Sequence, residues 1–227
     1  MYQGVFDWLF PTRCLLCHNE LQQNLQLCKH CLNDIETIAL PDSGNLLHRP
    51  DISRLFGNVS FDTLFAPSWY QPPVESWIGG LKFHDQINYK TALTQLVGER
   101  LYQYTQQEGF EWPDYFVVLP LHQSRFKKRG FNQVSQVWQP LLPKELISNT
   151  LLIRNKATQA QTTLTKKQRK QNLKSAFKCE TNLQGKKITI VDDVITTGAT
   201  VNSAADCLKQ AGAIHVSVWA TCITPLK

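Results

Sequence analysis

Asp192 and Asp193 stand side by side after the apolar run Ile188-Thr-Ile-Val191, and Val-Ile-Thr196-Thr197-Gly198-Ala199-Thr200 follows them. A short apolar run of this kind suits a strand covered on both faces, as in a parallel sheet. In open α/β sheets ligands bind beyond the carboxyl ends of strands. A helix starting there offers unpaired N–H groups and a positive dipole end to a phosphate. Thr196, Thr197 and Thr200 add hydroxyl donors, and Gly198 allows close backbone approach. Two carboxylates beside such a cradle repel a phosphate unless they hold something else. Sugar hydroxyls donate to carboxylates and meet that need. The residues alone therefore point to a ribose phosphate, against the plainer reading of an Asp cap and a threonine-rich turn.

Four of the seven cysteines form a second chemical signature, Cys14-x2-Cys17-x10-Cys28-x2-Cys31. Two such knuckles aim four thiolates at one centre, which suits tetrahedral Zn²⁺. About forty residues bury too little core to fold without a staple. Two disulfides or a redox pair are the competing readings. The opening Met1–Pro11 has no basic stretch ahead of its short apolar run and reads as an amphipathic segment rather than an export signal. The expected compartment is thus the cytoplasm, where disulfides are rare. His18 and His30 read as bystanders. Cys179, Cys207 and Cys222 have no partner spacing and read as small buried hydrophobes.

The 227 residues are 42% hydrophobic and 19% charged, the composition of a folded chain rather than a disordered one. No apolar run approaches the roughly 18 residues of a membrane span. Net charge is +6, but unevenly spread: His122–Lys187 holds fifteen Lys and Arg against Glu145 and Glu180. That segment attracts polyanions, either pyrophosphate or nucleic acid. Phe126, Phe131 and Trp138 are aromatic candidates for base stacking, although the helical spacing of Phe131 and Trp138 favours the core.

These residues need a scaffold. Helices are expected over Glu75–Phe83, Tyr89–Gln106, Phe131–Leu142 and Ala199–Ala211. Strands are expected at Tyr115–Leu119, Leu151–Ile153, Ile188–Val191 and Val216–Thr221, with irregular edge strands in the proline-broken Phe61–Val74. Alternation of this kind makes an α/β fold with an open, mostly parallel sheet. The expected division is a zinc-binding module and linker over 1–50, then the sheet domain over 51–227.

The stretch Ile188–Thr200 resembles the thirteen-residue phosphoribosyl-pyrophosphate (PRPP) motif of type I phosphoribosyltransferases. The resemblance implies that Asp192 and Asp193 hold the ribose 2′- and 3′-hydroxyls. It implies that Thr196, Thr197, Gly198, Ala199 and Thr200 cradle the 5′-phosphate, with Mg²⁺ accompanying PRPP. A longer series narrows the family. The cysteines, Leu81-Lys-Phe83, Leu119-Pro-Leu-His-x2-Arg125-x3-Arg129-Gly-Phe-Asn-Gln133, Arg154-x3-Thr158-x2-Gln161 and Arg169-x2-Asn172-Leu173-x2-Ala176-Phe177 occur in order. Together they resemble the ComF family of ComFC- and GntX-like proteins. Asp85 departs from that pattern, which usually has glycine there.

Within the resemblance, Pro120–Arg125 occupies the place of the pyrophosphate loop and Arg154–Lys174 that of a mobile flap. Lys82, Arg125, Lys127, Lys128, Arg129, Arg154 and Arg169 are the implied contacts to pyrophosphate or nucleic acid. Purine transferases often carry an acid three residues after the carboxylate pair; here Thr196 stands there, and no catalytic residue is assigned. Three readings stay open. One is a competence protein handling imported single-stranded DNA in natural transformation, with a helicase-like translocase as partner. The others are an active phosphoribosyltransferase on an unidentified acceptor, and a PRPP-sensing adaptor.

Overall fold

The computed structural model describes residues 12–21, 25–83, 86–121, 126, 127, 129–154 and 176–225. Its helices are α1 (Lys29–Asp34), α2 (Pro50–Ser53), α3 (Val74–Phe83), α4 (Ile87–Thr105), α5 (Gln133–Trp138) and α6 (Ala199–Gln210). Its strands are β1 (Thr63–Phe65), β2 (Ser68–Trp69), β3 (Tyr115–Val118), β4 (Ile153–Arg154), β5 (Phe177–Lys178), β6 (Lys187–Ile195) and β7 (His215–Ile223). The main sheet runs β1–β7–β6–β3, with β2 also on β7, and every pair in it is parallel. The antiparallel pair β4–β5 stands apart and brackets, in sequence, residues 155–175. Of the expected flap Arg154–Lys174, all but Arg154 lies outside the described residues. No described helix is long and apolar enough to cross a membrane.

Several boundaries differ from the sequence reading. The helix expected at Phe131–Leu142 is confined to Gln133–Trp138, followed by a 3₁₀ turn at Gln139–Leu141 that contains Pro140. The strand expected at Leu151–Ile153 pairs only at Ile153–Arg154. One difference bears on the site. β6 does not stop at Val191 but continues through both aspartates to Ile195. The reason is its neighbour: β7 is nine residues long, and Val194 and Ile195 find ladder partners in Cys222 and Ile223. An apolar run broken by acids looks like a strand end, and the pairing that prolongs it is non-local.

Side chains of the parallel strands alternate between two faces, and each face has its own core. Leu64, Ile188, Ile190, Val216 and Val218 pack with Val201, Ala204, Ala205 and Leu208 of α6 and with Leu46 and Ile52. Phe65, Phe116, Val118, Val191 and Trp219 pack with Trp77, Ile78 and Leu81 of α3, with Leu93, Leu96 and Val97 of α4, and with α5. Each such buried side chain contributes about 1.5–3 kcal/mol. The cysteine module joins this second core through Leu27, Leu32 and Ile35. Gln95 of α4 fastens it, donating to the Leu27 carbonyl at 2.7 Å and accepting from the N–H of Leu27 at 3.0 Å. Trp138 is fully buried, and its indole N–H donates to Thr221 Oγ1 at 3.0 Å.

Candidate ribose-phosphate site and cysteine cluster

The two aspartates are chemically unequal. Asp193 Oδ1 accepts the Val194 N–H at 2.8 Å. Its Oδ2 takes the Lys82 ammonium at 2.7 Å and the Gln133 side-chain amide at 2.9 Å. Asp192 Oδ1 accepts the Asp193 N–H at 2.8 Å. A carboxylate has about four lone-pair positions, so Asp193 is three-quarters used by the protein, while Asp192 accepts fewer such bonds from the described residues. Burial and the neighbouring Asp193 charge push the Asp192 carboxyl up to about 8.

Three elements bring these groups together. Lys82 comes from the last turn of α3, and Gln133 opens α5, where Asn132 caps the helix by accepting the Val134 N–H. Gln133 is almost fully buried, and its Oε1 accepts from Arg129 Nη1 at 2.9 Å. The amide is thereby oriented: its oxygen meets the guanidinium and its nitrogen the carboxylate. A chain of charge-assisted bonds runs Arg129–Gln133–Asp193–Lys82. Such bonds are roughly twice as strong as neutral ones.

Beyond β6, Gly198 caps α6 in the left-handed region, at φ 69°. A Cβ there would approach Phe56 Cδ1 to 2.9 Å, so the glycine is required by both backbone and space. Thr196, Thr197 and Ala199 are exposed at this turn, and Thr197 Oγ1 accepts the Ala199 N–H at 3.4 Å. The helix is held by Ser60, whose N–H and hydroxyl bond Asn202 and Asp206. The geometry is an open helix N-terminus beside a carboxylate pair, as the motif predicts.

The basic residues separate. Lys82 was expected among the phosphate contacts, but its ammonium is engaged by Asp193. Arg154 donates to the Pro120 carbonyl at 3.3 Å and lies over the Phe177 ring, tying the β4–β5 pair to the loop after β3. Lys127 is exposed, as is Phe126 beside it, while Phe131 is half-buried. Arg125, Lys128 and Arg169 lie outside the described residues. Gln133 is the site residue given no role from sequence, although it closes the Arg129–Gln133 motif; only the sheet-to-helix contact reveals what it does.

In the N-terminal module, the sulfurs of Cys14, Cys17, Cys28 and Cys31 all lie within 4.8 Å of one another. Cys17 and Cys28 are 3.7 Å apart. Zn–S bonds of about 2.3 Å in a tetrahedron require sulfurs about 3.8 Å apart, so the four thiols fit that ion. Burial raises the Cys14 pKa, but backbone N–H groups of Cys17, Cys28 and Leu16 outweigh it and hold the thiol at about 6. His18, immediately after the first knuckle, turns the chain at φ 61°.

Comparison with known proteins agrees with both halves. Residues 5–42 match the double zinc ribbon domain, although only four cysteines are there to serve one ion, and residues 129–223 match the phosphoribosyl transferase domain. DNA utilization protein YhgH of Salmonella typhimurium is 35% identical, over 93% of this chain and 90% of its own. Competence protein F of Haemophilus influenzae is 27% identical, over 92% and 96%. Competence protein ComFC of Streptococcus pneumoniae is 26% identical, over 91% and 98%. With this extent of likeness, and with the sheet, acid pair and thiol cluster already in place, the chain belongs to the ComF family and carries a type I phosphoribosyltransferase domain behind an N-terminal zinc ribbon.

Proposed function

We propose that this protein binds PRPP at Asp192–Thr200 and acts in natural transformation, handling imported single-stranded DNA in the cytoplasm. The single observation that carries the PRPP reading is the unequal acid pair beside an open helix N-terminus. Asp192 offers its carboxylate to ribose hydroxyls, while Lys82 and Gln133 hold Asp193 as its neighbour. Mg²⁺ suits the same place, since it is usually bound through one or two carboxylates together with substrate phosphates; the Asp192 carboxylate would share it with the diphosphate. The names of the relatives support the DNA role, and the basic segment 122–187 supplies the charge for phosphate contacts. The zinc-binding module, through about residue 50, is then the region that meets a translocase-like partner.

Calorimetric titration of Mg²⁺·PRPP tests this, with an Asp192→Ala/Asp193→Ala double variant alongside. Two lost charge-assisted contacts of about 1.5–3 kcal/mol each predict at least about a hundredfold weaker binding. Single-stranded DNA should bind with a steep salt dependence. Wild-type protein loaded with zinc that ignores PRPP sinks the reading and leaves a DNA-binding adaptor. A second reading, transferase activity, is favoured by the match of residues 129–223 to the phosphoribosyl transferase domain. Pyrophosphate release on adding acceptors would establish it; binding without release fits a PRPP-sensing adaptor.

A further inference from the structure

Towards the amino-terminal ends of the same strands, three hydroxyls lie side by side on the sheet face that also carries Val191 and Trp219. Thr63 of β1, Ser217 of β7 and Thr189 of β6 are register partners. Their side chains therefore leave the sheet on one face, on strands about 4.8 Å apart. One residue further along each strand, on the opposite face, stand Leu64, Val218 and Ile190, all buried. Aliphatic residues are what a doubly covered parallel sheet normally carries, and a polar row there costs stability unless it finds partners. Thr63 donates to Ser217 Oγ at 2.7 Å. His215, two residues before Ser217, brings Nε2 within 3.4 Å of Thr63 Oγ1 and Nδ1 within 3.7 Å of Asp62.

The row lines a cavity of about 230 Å³, walled by the rings of Tyr104, Phe110 and Trp219. Val191 and Trp219, the next register pair on this face, stand between the hydroxyl row and Asp193 along the strand. We infer that the cavity is a second ligand site, taking a small uncharged planar heterocycle of the nucleobase type. Its walls are flat and aromatic, which suits a ring face. Three hydroxyls and an imidazole offer both donors and acceptors to a ring edge. Lys187 at the rim is paired with Glu111, and Glu108 adds a further negative charge. This lining repels a phosphate, so the site distinguishes a base from its nucleotide. The volume falls below the roughly 300–1,000 Å³ of sites for drug-sized ligands and leaves room for one or two fused rings.

The test titrates adenine, uracil and AMP into the full-length protein, read by tryptophan fluorescence and by calorimetry. Saturable binding of at least one base is expected, with AMP at least tenfold weaker than adenine if adenine is the base bound. A Thr189→Val/Ser217→Ala variant should bind that base at least tenfold more weakly while keeping its zinc content and its response to Mg²⁺·PRPP. Thr189→Val alone, nearly isosteric and strand-compatible, serves as the readout if the double variant melts early. Two results overturn the inference: no saturable binding of either base up to millimolar concentration, or a base that binds wild type and variant equally and so sits elsewhere.

Discussion

The two ends of β6 share one strand and a few residues of separation, yet they present opposite chemistry. Its carboxyl end carries two acids, and α3 and α5 answer them with Lys82, Gln133 and Arg129. The loop there exposes threonines and a helix N-terminus. Its amino end carries hydroxyls, and the neighbours that answer are aromatic rings and glutamates from the end of α4 and the segment after it. The strand itself decides little between them. What chemistry each end presents is set by which element packs against it, and those elements come from distant parts of the chain.

The largest perturbation removes a support that both ends share. The zinc module rests on α4 through Gln95 and on the same core as Trp219. Cys28→Ser, or strong chelation, should release the single bound zinc and unfold the module, since structural zinc is worth about 10–16 kcal/mol in small zinc domains. Metal analysis and a thermal melt check this, with one ion per chain expected in the wild type. A protein that keeps its full melting temperature without zinc would show that the module and the sheet are energetically independent.

The next cut separates the aspartates. Asp193→Asn leaves the half-buried Lys82 without its counter-charge and should cost about 2–3 kcal/mol of stability. Asp192→Asn should cost little stability and most of the PRPP affinity. Chemical denaturation beside PRPP titration distinguishes them, and equal stability losses would refute the asymmetry. Gly198→Ala follows: the left-handed backbone costs about 1–2 kcal/mol, with the Phe56 contact added. It should weaken PRPP binding while leaving base binding at the other end unchanged, which sharpens the comparison directly.

The smallest expected effect is on pH dependence. The folded state raises the Asp192 carboxyl from 3.8 to about 8. Between those values the folded chain binds more protons at this site than the unfolded chain, so its contribution to stability falls as pH rises. The melting temperature of the ligand-free wild type should drop more between pH 6 and pH 8.5 than that of Asp192→Asn. PRPP affinity should move the other way, rising over the same interval as the carboxylate forms. Parallel pH slopes in the two proteins would place the Asp192 carboxyl in its ordinary range.

Much of this was legible from local pattern. Local pattern found α3, α4 and α6 to within a few residues at each end, with the three-and-four spacing of apolar residues plainest in α4. The four cysteines declared a metal site for a similar reason: ligand spacing within a knuckle is local chemistry. The acid pair and the Thr-Thr-Gly loop were equally readable, as one strand-to-turn unit. Lys82 and Gln133 sat inside recognisable motifs, yet their common target did not show, since α3 and Asp193 are more than a hundred residues apart.

The hydroxyl row shows the division most sharply. Thr189 alone is an unremarkable β-former in an apolar run, and Thr63 and Ser217 fall in short segments with no signal of their own. Their alignment exists only once β1, β7 and β6 pair in register. The sequence by itself determined the zinc-ribbon cysteines, the carboxylate pair, the threonine–glycine turn and the parallel α/β class, because each follows from neighbours along the chain. Tertiary structure alone decided that β6 runs on to Ile195, that Asp193 is held by Lys82 and Gln133 while Asp192 is not, and that three hydroxyls share a cavity. Strand register and helix docking are long-range choices, and no local residue pattern encodes which distant side chain will arrive.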